Sequence, residues 1–306
     1  MIIQRCQVAC EVEAAEGTME VIVVADMFMA SNPKFDPTIT PHERNPVAAS
    51  LSPYPSVFGS RSAKMSFDVE LVGTAAAGSA IDYSDALRAC GVSETLVAIT
   101  SATYKPASAS IPSVTLAMYL DGKIYRAWGA RADSAKLVLE SGKAGILSLS
   151  FLCADFSEAD GVLLAPTYTA IRPPTFQTAA LTIGAYAAIV NKLTLDFGLK
   201  TTLRKDANAA SGHKSAVITN RQPKLSFDPE NVLVATEDFL GKWRSGTTMA
   251  FTTAIGSVAG NTITITAPVV QYQKATMGER EGVSTLEMEG LCCINAGDDE
   301  WQIAIT

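Results

Sequence analysis

Two stretches of the chain, VFGSRSAKMSFDVE at residues 57–70 and VITNRQPKLSFDPE at residues 217–230, read as the same strand written twice. Seven of the 14 positions are identical, at a spacing of 160 residues in a chain of 306. In the first copy, apolar Met65 and Phe67 alternate with polar residues, which is typical of a strand with one apolar and one polar face. The second copy repeats this alternation around Phe227. A strand that recurs half a chain apart predicts an internal duplication.

A short helix is predicted after each copy of the strand. The segment DYSDALRACG (82–91) offers Asp82 or Ser84 as an N-cap and a glycine as a stop. The segment TEDFLGKWRSG (236–246) offers Thr236 as an N-cap, acidic residues in the first turn and again a terminal glycine. The two halves therefore share an order of elements as well as a motif.

Further strands complete the pattern in both halves. Alternating strands are predicted at GILSLSFLC (145–153) and VSTLEMEGLCC (283–293), and a proline-containing segment (166–174) reads as the connector. The sequence thus predicts a mainly β protein of two tandem domains, residues 1–165 and 166–306, each with one short flanking helix.

Two long connections precede the repeated strands. Residues 31–56 hold six prolines and show little periodicity, and residues 200–214 occupy the corresponding place in the second half. Both are longer than ordinary hairpin loops, and long loops in compact proteins are usually functional or disordered. Their proline content and matched position favour ordered arms that grip a partner.

The amino-acid composition limits the classes of protein to which this chain can belong. Apolar residues make up 48% and charged residues 18%, with a mean hydropathy of +0.19. This predicts a chain that buries surface against other subunits, with a single large core as the alternative. No stretch approaches the roughly 20 apolar residues that span a bilayer. The start of the chain lacks the pattern of a secretory signal, so folding in the cytoplasm is expected.

The charge and the reactive residues point away from enzymes and from general nucleic-acid binding. The net charge of −7 disfavours a protein held to nucleic acid by phosphate contacts. The two histidines, His42 and His213, both fall in the long connections, and no nucleophile turn or phosphate loop is present. The six cysteines lack the spacing of a zinc site, so buried free thiols are predicted, with a disulfide or a metal as the alternative. We expect no catalytic, cofactor-binding or metal-binding residue.

The order of these motifs resembles the major tail tube proteins of long-tailed bacteriophages, of the non-contractile, siphovirus type. The matching parts are KMSFDVELVG, a helix ending ACG, a Y-x-P-x-S stretch, a DGK hairpin, a GAR turn and the closing strand SGKAGILSLSF. The second half, with SFDPENVLVATEDFLGKWRSG and GEREGV, resembles the same domain again. The resemblance covers most of residues 57–293.

The resemblance implies a structural protein that is not an enzyme. Each tube domain is a small β-sandwich, six domains make a ring, and stacked rings enclose a lumen with a continuous β-barrel wall. With two domains per chain, a trimer would supply the six. The implied partners are other copies of the chain, the tape-measure protein, tail terminator and tip proteins, and double-stranded DNA that passes without sequence-specific binding or membrane insertion. The implied location is the virion tail, after assembly in the host bacterial cytoplasm.

Candidate site residues follow from this resemblance. A lumen that passes DNA should be polar and net acidic, because acidic side chains repel phosphate. The candidate lumen-facing residues are Lys64, Ser66, Asp68, Glu70, Ser148, Ser150, Lys224, Ser226, Asp228, Glu230, Glu287 and Glu289. The candidate inter-ring residues in the long connections are Lys34, Asp36, His42, Arg44, Arg204, Lys205, Asp206 and His213.

Two other functions remain open at this point. One is a β-sandwich module of a virion or cell surface that binds a receptor or glycan, although the tryptophans Trp128, Trp243 and Trp301 are scattered. The other is the tube of a secretion system, which is disfavoured by the duplicated domain.

Overall fold

Eight strands, four from each half of the chain, form one continuous sheet, which we call the wall sheet. The structure is a computed structural model that describes residues 2–74, 76–168 and 170–306. The elements of the first half are β1 Cys6–Val12, a 3-10 turn Val24–Asp26, β2 Met27–Phe28, β3 Ser31–His42, β4 Val57–Glu70, α1 Ser84–Arg88, β5 Val92–Val97, β6 Ser101–Pro106, β7 Val114–Leu120, β8 Lys123–Glu140, β9 Ile146–Cys153 and β10 Asp155–Asp160. Those of the second half are β11 Thr182–Ile183, β12 Val190–Asp196, β13 Leu199–Lys205, β14 His213–Arg221, β15 Lys224–Pro229, α2 Phe239–Ser245, β16 Thr248–Ile255, β17 Ile263–Arg280, β18 Val283–Cys292 and β19 Gln302–Ile305.

The wall sheet takes four strands from each half. Its antiparallel order is β3-β4-β9-β8 from the first half, followed by β12-β15-β18-β17 from the second. The two halves meet where β8 pairs with β12, with Glu140 opposite Lys192 and Lys136 opposite Asp196. The sheet is open within one chain, with β3 at one edge and the C-terminal part of β17 at the other.

A second layer packs behind the wall sheet. The 18-residue strands β8 and β17 belong to both layers, because their N-terminal parts pair with outer strands and their C-terminal parts with the wall. The outer strands run in the orders β2-β1-β7-β8-β10 and β11-β16-β17-β19-β6-β5. The apolar side chains of the two layers meet in the core, as the prediction of a mainly β, sandwich-type fold requires.

The duplication extends to strand register and to bulges. Asp36 pairs with Lys64, and 160 residues later Asp196 pairs with Lys224. The register of β8 against β9 shifts between Ala132 and Ser134, and that of β17 against β18 shifts 140 residues later, between Tyr272 and Lys274. A β-bulge changes the direction of a strand, and its position is a specific, conserved feature of a fold. Their recurrence shows that the halves repeat one plan of pairing, while the boundary near residue 165 stays a prediction.

The hairpins of the two halves differ in one respect. The first copy of the repeated strand is the unbroken β4, but the second is divided between β14 and β15 at Gln222 and Pro223. Gly198 faces this break with a φ of 61°, and a side chain there would collide with the carbonyl oxygen of Gln222. The hairpin of β13 and β14 therefore forms a separate two-stranded sheet that packs against the first half, whereas β3 and β4 are both strands of the wall sheet.

The structure corrects several local predictions. Residues 31–42 are the paired strand β3 and not a loop, so Lys34 and Asp36 lie in the sheet. The prolines hid this strand, because proline is tolerated in an edge strand whose N side faces outward. Likewise Arg204 and Lys205 lie in β13, and His213 begins β14.

The helices lie where they were predicted but begin later. Helix α1 has no side-chain cap, and helix α2 is capped by Asp238, whose carboxylate accepts a hydrogen bond from the Gly241 N–H at 2.7 Å. The predicted caps were therefore wrong, whereas Gly246 ends α2 in the left-handed conformation as expected.

The thiols are free, and four of the six are buried. Cys10, Cys90, Cys153 and Cys292 lie in the core, while Cys6 and Cys293 are partly exposed. Burial raises the pKa of each of the four buried thiols above its usual range. They act as small apolar side chains.

Trp301 is the largest side chain in the core, and its replacement tests the packing. It is 2% exposed and lies with its ring centroid 4.2 Å from that of Phe197. We expect Trp301→Ala to lower the free energy of unfolding by about 3–5 kcal/mol, because truncation leaves a cavity. The matched control, Trp243→Ala, removes a ring that is 40% exposed and should cost less than about 1 kcal/mol. Urea unfolding of both variants measures this, and equal losses would contradict the described core.

Candidate assembly interface

The outward side of the wall sheet is a mainly polar face, interrupted by the apolar pair of Val138 and Ile146. Directly opposed residues share a face of an antiparallel sheet, so the register assigns the members of this face strand by strand. Ser66 lies opposite Ser150, which lies opposite Ser134, and Ser226 lies opposite Glu289. The charged members are ten acidic and seven basic side chains: Asp36, Asp68, Glu70, Asp133, Glu140, Asp196, Asp228, Glu230, Glu287 and Glu289, with Lys34, Lys64, Lys136, Lys192, Lys224, Lys274 and Arg280.

All twelve predicted lumen-facing residues lie on this polar face. They occupy β4, β9, β15, β18 and the position after β15, and each is exposed or partly exposed. The structure thus brings four segments of the chain, each more than 50 residues from the next, onto one surface. Whether that surface faces a lumen stays a proposal.

Half of the polar face was not predicted from the sequence. Lys136 and Glu140 end the segment DSAKLVLE of β8, and Lys192 and Asp196 flank the core residues of β12. The alternation of polar and apolar residues in both segments is the signal that would have found them.

Ion pairs cross the polar face from strand to strand. Lys64 contacts Asp133 at 2.6 Å, Lys224 contacts Glu289 at 2.7 Å, and Arg280 bridges Asp228 and Glu230 at 3.0 and 3.1 Å. The pair of Lys136 and Asp196, at 3.0 Å, joins the two halves. Exposed pairs of this kind contribute little stability, but they fix the lysines beside carboxylates.

Two pKa shifts reflect this pairing. The hydrogen bond and the charge of Glu289 raise the pKa of Lys224 above its usual value. The hydrogen bond from Lys143 lowers the pKa of Glu140. Both groups therefore stay charged at neutral pH.

The hairpin of β13 and β14 is held against the first half by a partly buried polar cluster. Arg131 of β8 contacts Glu16 at 2.9 Å, and Glu16 also contacts Arg204 of β13 at 3.3 Å. Ser215 of β14 donates a hydrogen bond to Glu16 at 2.9 Å. Partial burial acts to raise the pKa of Glu16, but the hydrogen bonds from Arg131 and Ser215 outweigh it and the pKa is lowered.

The predicted inter-ring residues of this hairpin are placed around the same cluster. The His213 ring nitrogen Nδ1 lies 3.2 Å from the Arg61 carbonyl oxygen, so Arg204 and His213 both contact the first half of the same chain. Lys205 is exposed at the end of β13, and Asp206 begins the turn, where its carboxylate accepts from the Asn208 N–H at 2.9 Å.

The hairpin of β3 and β4 instead projects with its apolar side chains exposed. We call residues 38–60, which include its tip at 43–56, the arm. Phe58 is 72% exposed, and Val47 and Leu51 in the tip are fully exposed. His42 and Arg44, the remaining predicted inter-ring residues, lie in the arm and are exposed.

Both free edges of the wall sheet carry apolar side chains on the core side. At the β17 edge, Met277 is 73% exposed. At the β3 edge, Phe35 packs against Tyr125 and Phe156, with ring centroids 5.1 and 5.8 Å apart. These three rings line an open groove of about 570 Å³. Exposed apolar surface at open strand edges is typical of an assembly interface.

The described part of the chain holds no group of three potential metal ligands, and neither of its helices is long and apolar enough to cross a membrane.

Comparison with known proteins agrees with a role in assembly. A family model described as "Phage tail tube protein" matches residues 4–292, which is nearly the whole chain. None of the curated proteins compared matches the chain. A surface of polar strands with two open edges, on a chain that the family model covers almost from end to end, leads to one conclusion: this protein belongs to the phage tail tube protein family and is a structural component of the virion tail.

Proposed function

We propose that three copies of this chain close into a ring whose polar faces line the channel of the tail tube. The observation that carries the proposal is the wall sheet: eight strands with one mainly polar face, one apolar face and two open edges. Joining such edges satisfies the unpaired backbone groups and removes exposed edges altogether.

The internal duplication supports the trimer. Two tandem domains, residues 1–165 and 166–306, would give a ring of six domains from three chains. Three wall sheets of eight strands would give a barrel of 24. Barrel diameter grows with strand number, and barrels of 16–18 strands already leave an aqueous channel.

The charges of the polar face suit a channel for DNA. Four of its seven basic side chains, Lys64, Lys136, Lys224 and Arg280, are each paired with a carboxylate. A surface with paired lysines and an excess of acidic groups offers phosphate few binding sites and repels it over short distances. We propose that the tube encloses the tape-measure protein before ejection, joins terminator and tip proteins at its ends, and passes double-stranded DNA without holding it.

The projecting segments suit contacts between rings. The tip of the arm exposes Val47 and Leu51, and the turn after Lys205 exposes Ala207 and Asn208. We propose both tips for ring stacking, in a non-contractile tail whose subunits fold and assemble in the host cytoplasm.

No catalytic role is proposed. A glycan-binding module is disfavoured, since Trp301 is buried and Trp243 lies apart from it on α2.

Electron microscopy of the purified protein tests the proposal. Across a concentration series in negative stain, we expect hollow tubes or annuli with threefold symmetry in end view. The physical reason is that exposed strand edges and apolar arms are satisfied only by other copies. Compact single-chain particles at every concentration, with sedimentation of a monomer, would contradict it.

Labelling of single cysteines tests which face lines the channel. In a background with Cys6→Ser and Cys293→Ser, Glu287→Cys places a thiol on the polar face, and Asp160→Cys places one on the exposed end of β10. After reaction with biotin maleimide, assembled tubes are mixed with streptavidin, a tetramer too wide for the proposed lumen. We expect Asp160→Cys tubes to be decorated and Glu287→Cys tubes to bind streptavidin only after dissociation. Decoration of intact Glu287→Cys tubes would place the polar face outside.

A further inference from the structure

We infer that neighbouring copies of this chain join by antiparallel pairing of β3 of one copy with β17 of the next, in the register that sets Phe35 opposite Met277. This inference rests on the proposed function, because it specifies the contact by which subunits of the tube meet. It is carried by the junction that the chain already contains between its own halves.

The internal junction defines the geometry. Strand β12 pairs with β8 so that Leu195 lies opposite Leu137 and Asp196 opposite Lys136. Just beyond the paired residues, the Phe197 N–H donates to the Ala135 carbonyl at 2.9 Å, and the Ser141 N–H donates to the Asn191 carbonyl at 2.8 Å. Odd-numbered residues of β12 are therefore in hydrogen-bonded pairs, and even-numbered residues are in non-hydrogen-bonded pairs.

The same geometry can be assigned to the free edges, because the two edge strands are the repeat counterparts of the two strands of the internal junction. Strand β3 is the counterpart of β12 at an offset of 160, because Asp36 meets Lys64 as Asp196 meets Lys224. The C-terminal part of β17 is the counterpart of β8 at an offset of 140, because both strands carry the same bulge against their hairpin partners. The pair of Leu195 and Leu137 thus becomes Phe35 and Met277.

The side chains on the core side fit that register. Leu195 and Leu137 are each 1% exposed in the internal junction, whereas Met277 is 73% exposed at the free edge. The inferred register places Met277 beside Phe35 at the mouth of the aromatic groove that Tyr125 and Phe156 complete. An unbranched thioether against aromatic rings is a favourable contact, so this register buries the exposed methionine.

The polar side of the joint is also complementary. Thr276 lies opposite Asp36 in the inferred register, and Lys274 lies one diagonal away from Asp36. Within the described chain, neither Asp36 nor Lys274 forms an ion pair, whereas the counterpart Asp196 pairs with Lys136. A contact between Asp36 and Lys274 of neighbouring copies would continue the pattern of the internal junction.

Two prolines of β3 explain why this edge needs a specific partner. Pro33 and Pro37 are the counterparts of Leu193 and Phe197, whose N–H groups lie on the side of β12 that faces β8. Proline has no N–H, so around Phe35 the free edge of β3 keeps its carbonyl acceptors but loses two donors. Such an edge resists unspecific strand addition. It still accepts the N–H groups of Ala275, Met277 and Glu279.

Disulfide trapping tests the register. Asp36→Cys with Thr276→Cys creates a non-hydrogen-bonded pair, whose Cα separation of about 4.5 Å suits a disulfide. The background carries Cys6→Ser and Cys293→Ser. Under mild oxidation of assembled protein, we expect linked dimers and trimers, with no larger species, in denaturing gels. The internal counterpart, Lys136→Cys with Asp196→Cys, should form a disulfide within one chain and serves as the positive control.

Asp36→Cys with Gly278→Cys is the matched control for a register shifted by two residues. We expect it to be linked at least tenfold less than the first pair. Stronger linkage of this control, or tubes of the first variant without any linkage, would overturn the register and leave the tube function standing. Failure of the unmodified protein to assemble at any concentration would overturn the proposed function and with it the joint. Linkage into closed trimers without long tubes would support the register.

A charge at the methionine tests the joint by a second route. Met277→Asp should leave the melting temperature of the subunit unchanged, because the side chain is exposed, and should reduce the assembled fraction by at least tenfold, because the joint would bury a carboxylate. The control is Met19→Asp, at another exposed methionine. Sedimentation measures both, and normal assembly of Met277→Asp would overturn the inference.

Discussion

The antiparallel pairing of β8 with β12 is the constraint on which the rest of the structure depends. It makes one sheet of the two halves and fixes their register. Because side chains alternate along a strand, a slip of one residue would turn every side chain of the second half to the other face. The register that forms sets Leu137 beside Leu195 in the core and Lys136 beside Asp196 on the polar face. The polar side chains of both halves lie on one face because the pairing of β8 with β12 keeps the polar and apolar alternation of the two halves in phase.

The two copies of the repeated strand have diverged in what their hairpins do. Gly198 and Pro223 break the second hairpin away from the wall, and Glu16 holds it against the first half through Arg131 and Ser215. The first hairpin has no such break; Arg61 of β4 pairs with Asp155 at 2.6 Å, and beyond this contact Phe58 is 72% exposed. The second hairpin thus stabilises the chain itself, while the arm of the first hairpin is left available for a neighbouring copy.

The sequence predicted what depends on local alternation and little of what depends on distant partners. The repeated strand, the closing strands and the DGK hairpin between β7 and β8 were found because apolar periodicity and turn chemistry are local signals. Strand β3 was missed because its prolines break the periodicity but are harmless at an edge. The pairing of β6 with β19 was also out of reach, since nothing near Tyr104 encodes that it meets Ile303. The polar face was half found, because its β8 and β12 members lie in strands not recognised as its neighbours.

An open edge that must join one partner and avoid all others faces opposing demands, and the composition of β3 addresses both. An edge with all of its backbone donors and acceptors would pair with any exposed strand, including the strands of misfolded chains. Replacing two donors by Pro33 and Pro37 weakens every such pairing, whereas the side chains around Phe35 add contacts that only a matching edge can make. The internal junction has no need of this device, because β8 and β12 are joined by the chain, and its corresponding positions are Leu193 and Phe197. The difference between the two copies is the difference expected between a joint within a subunit and a joint between subunits.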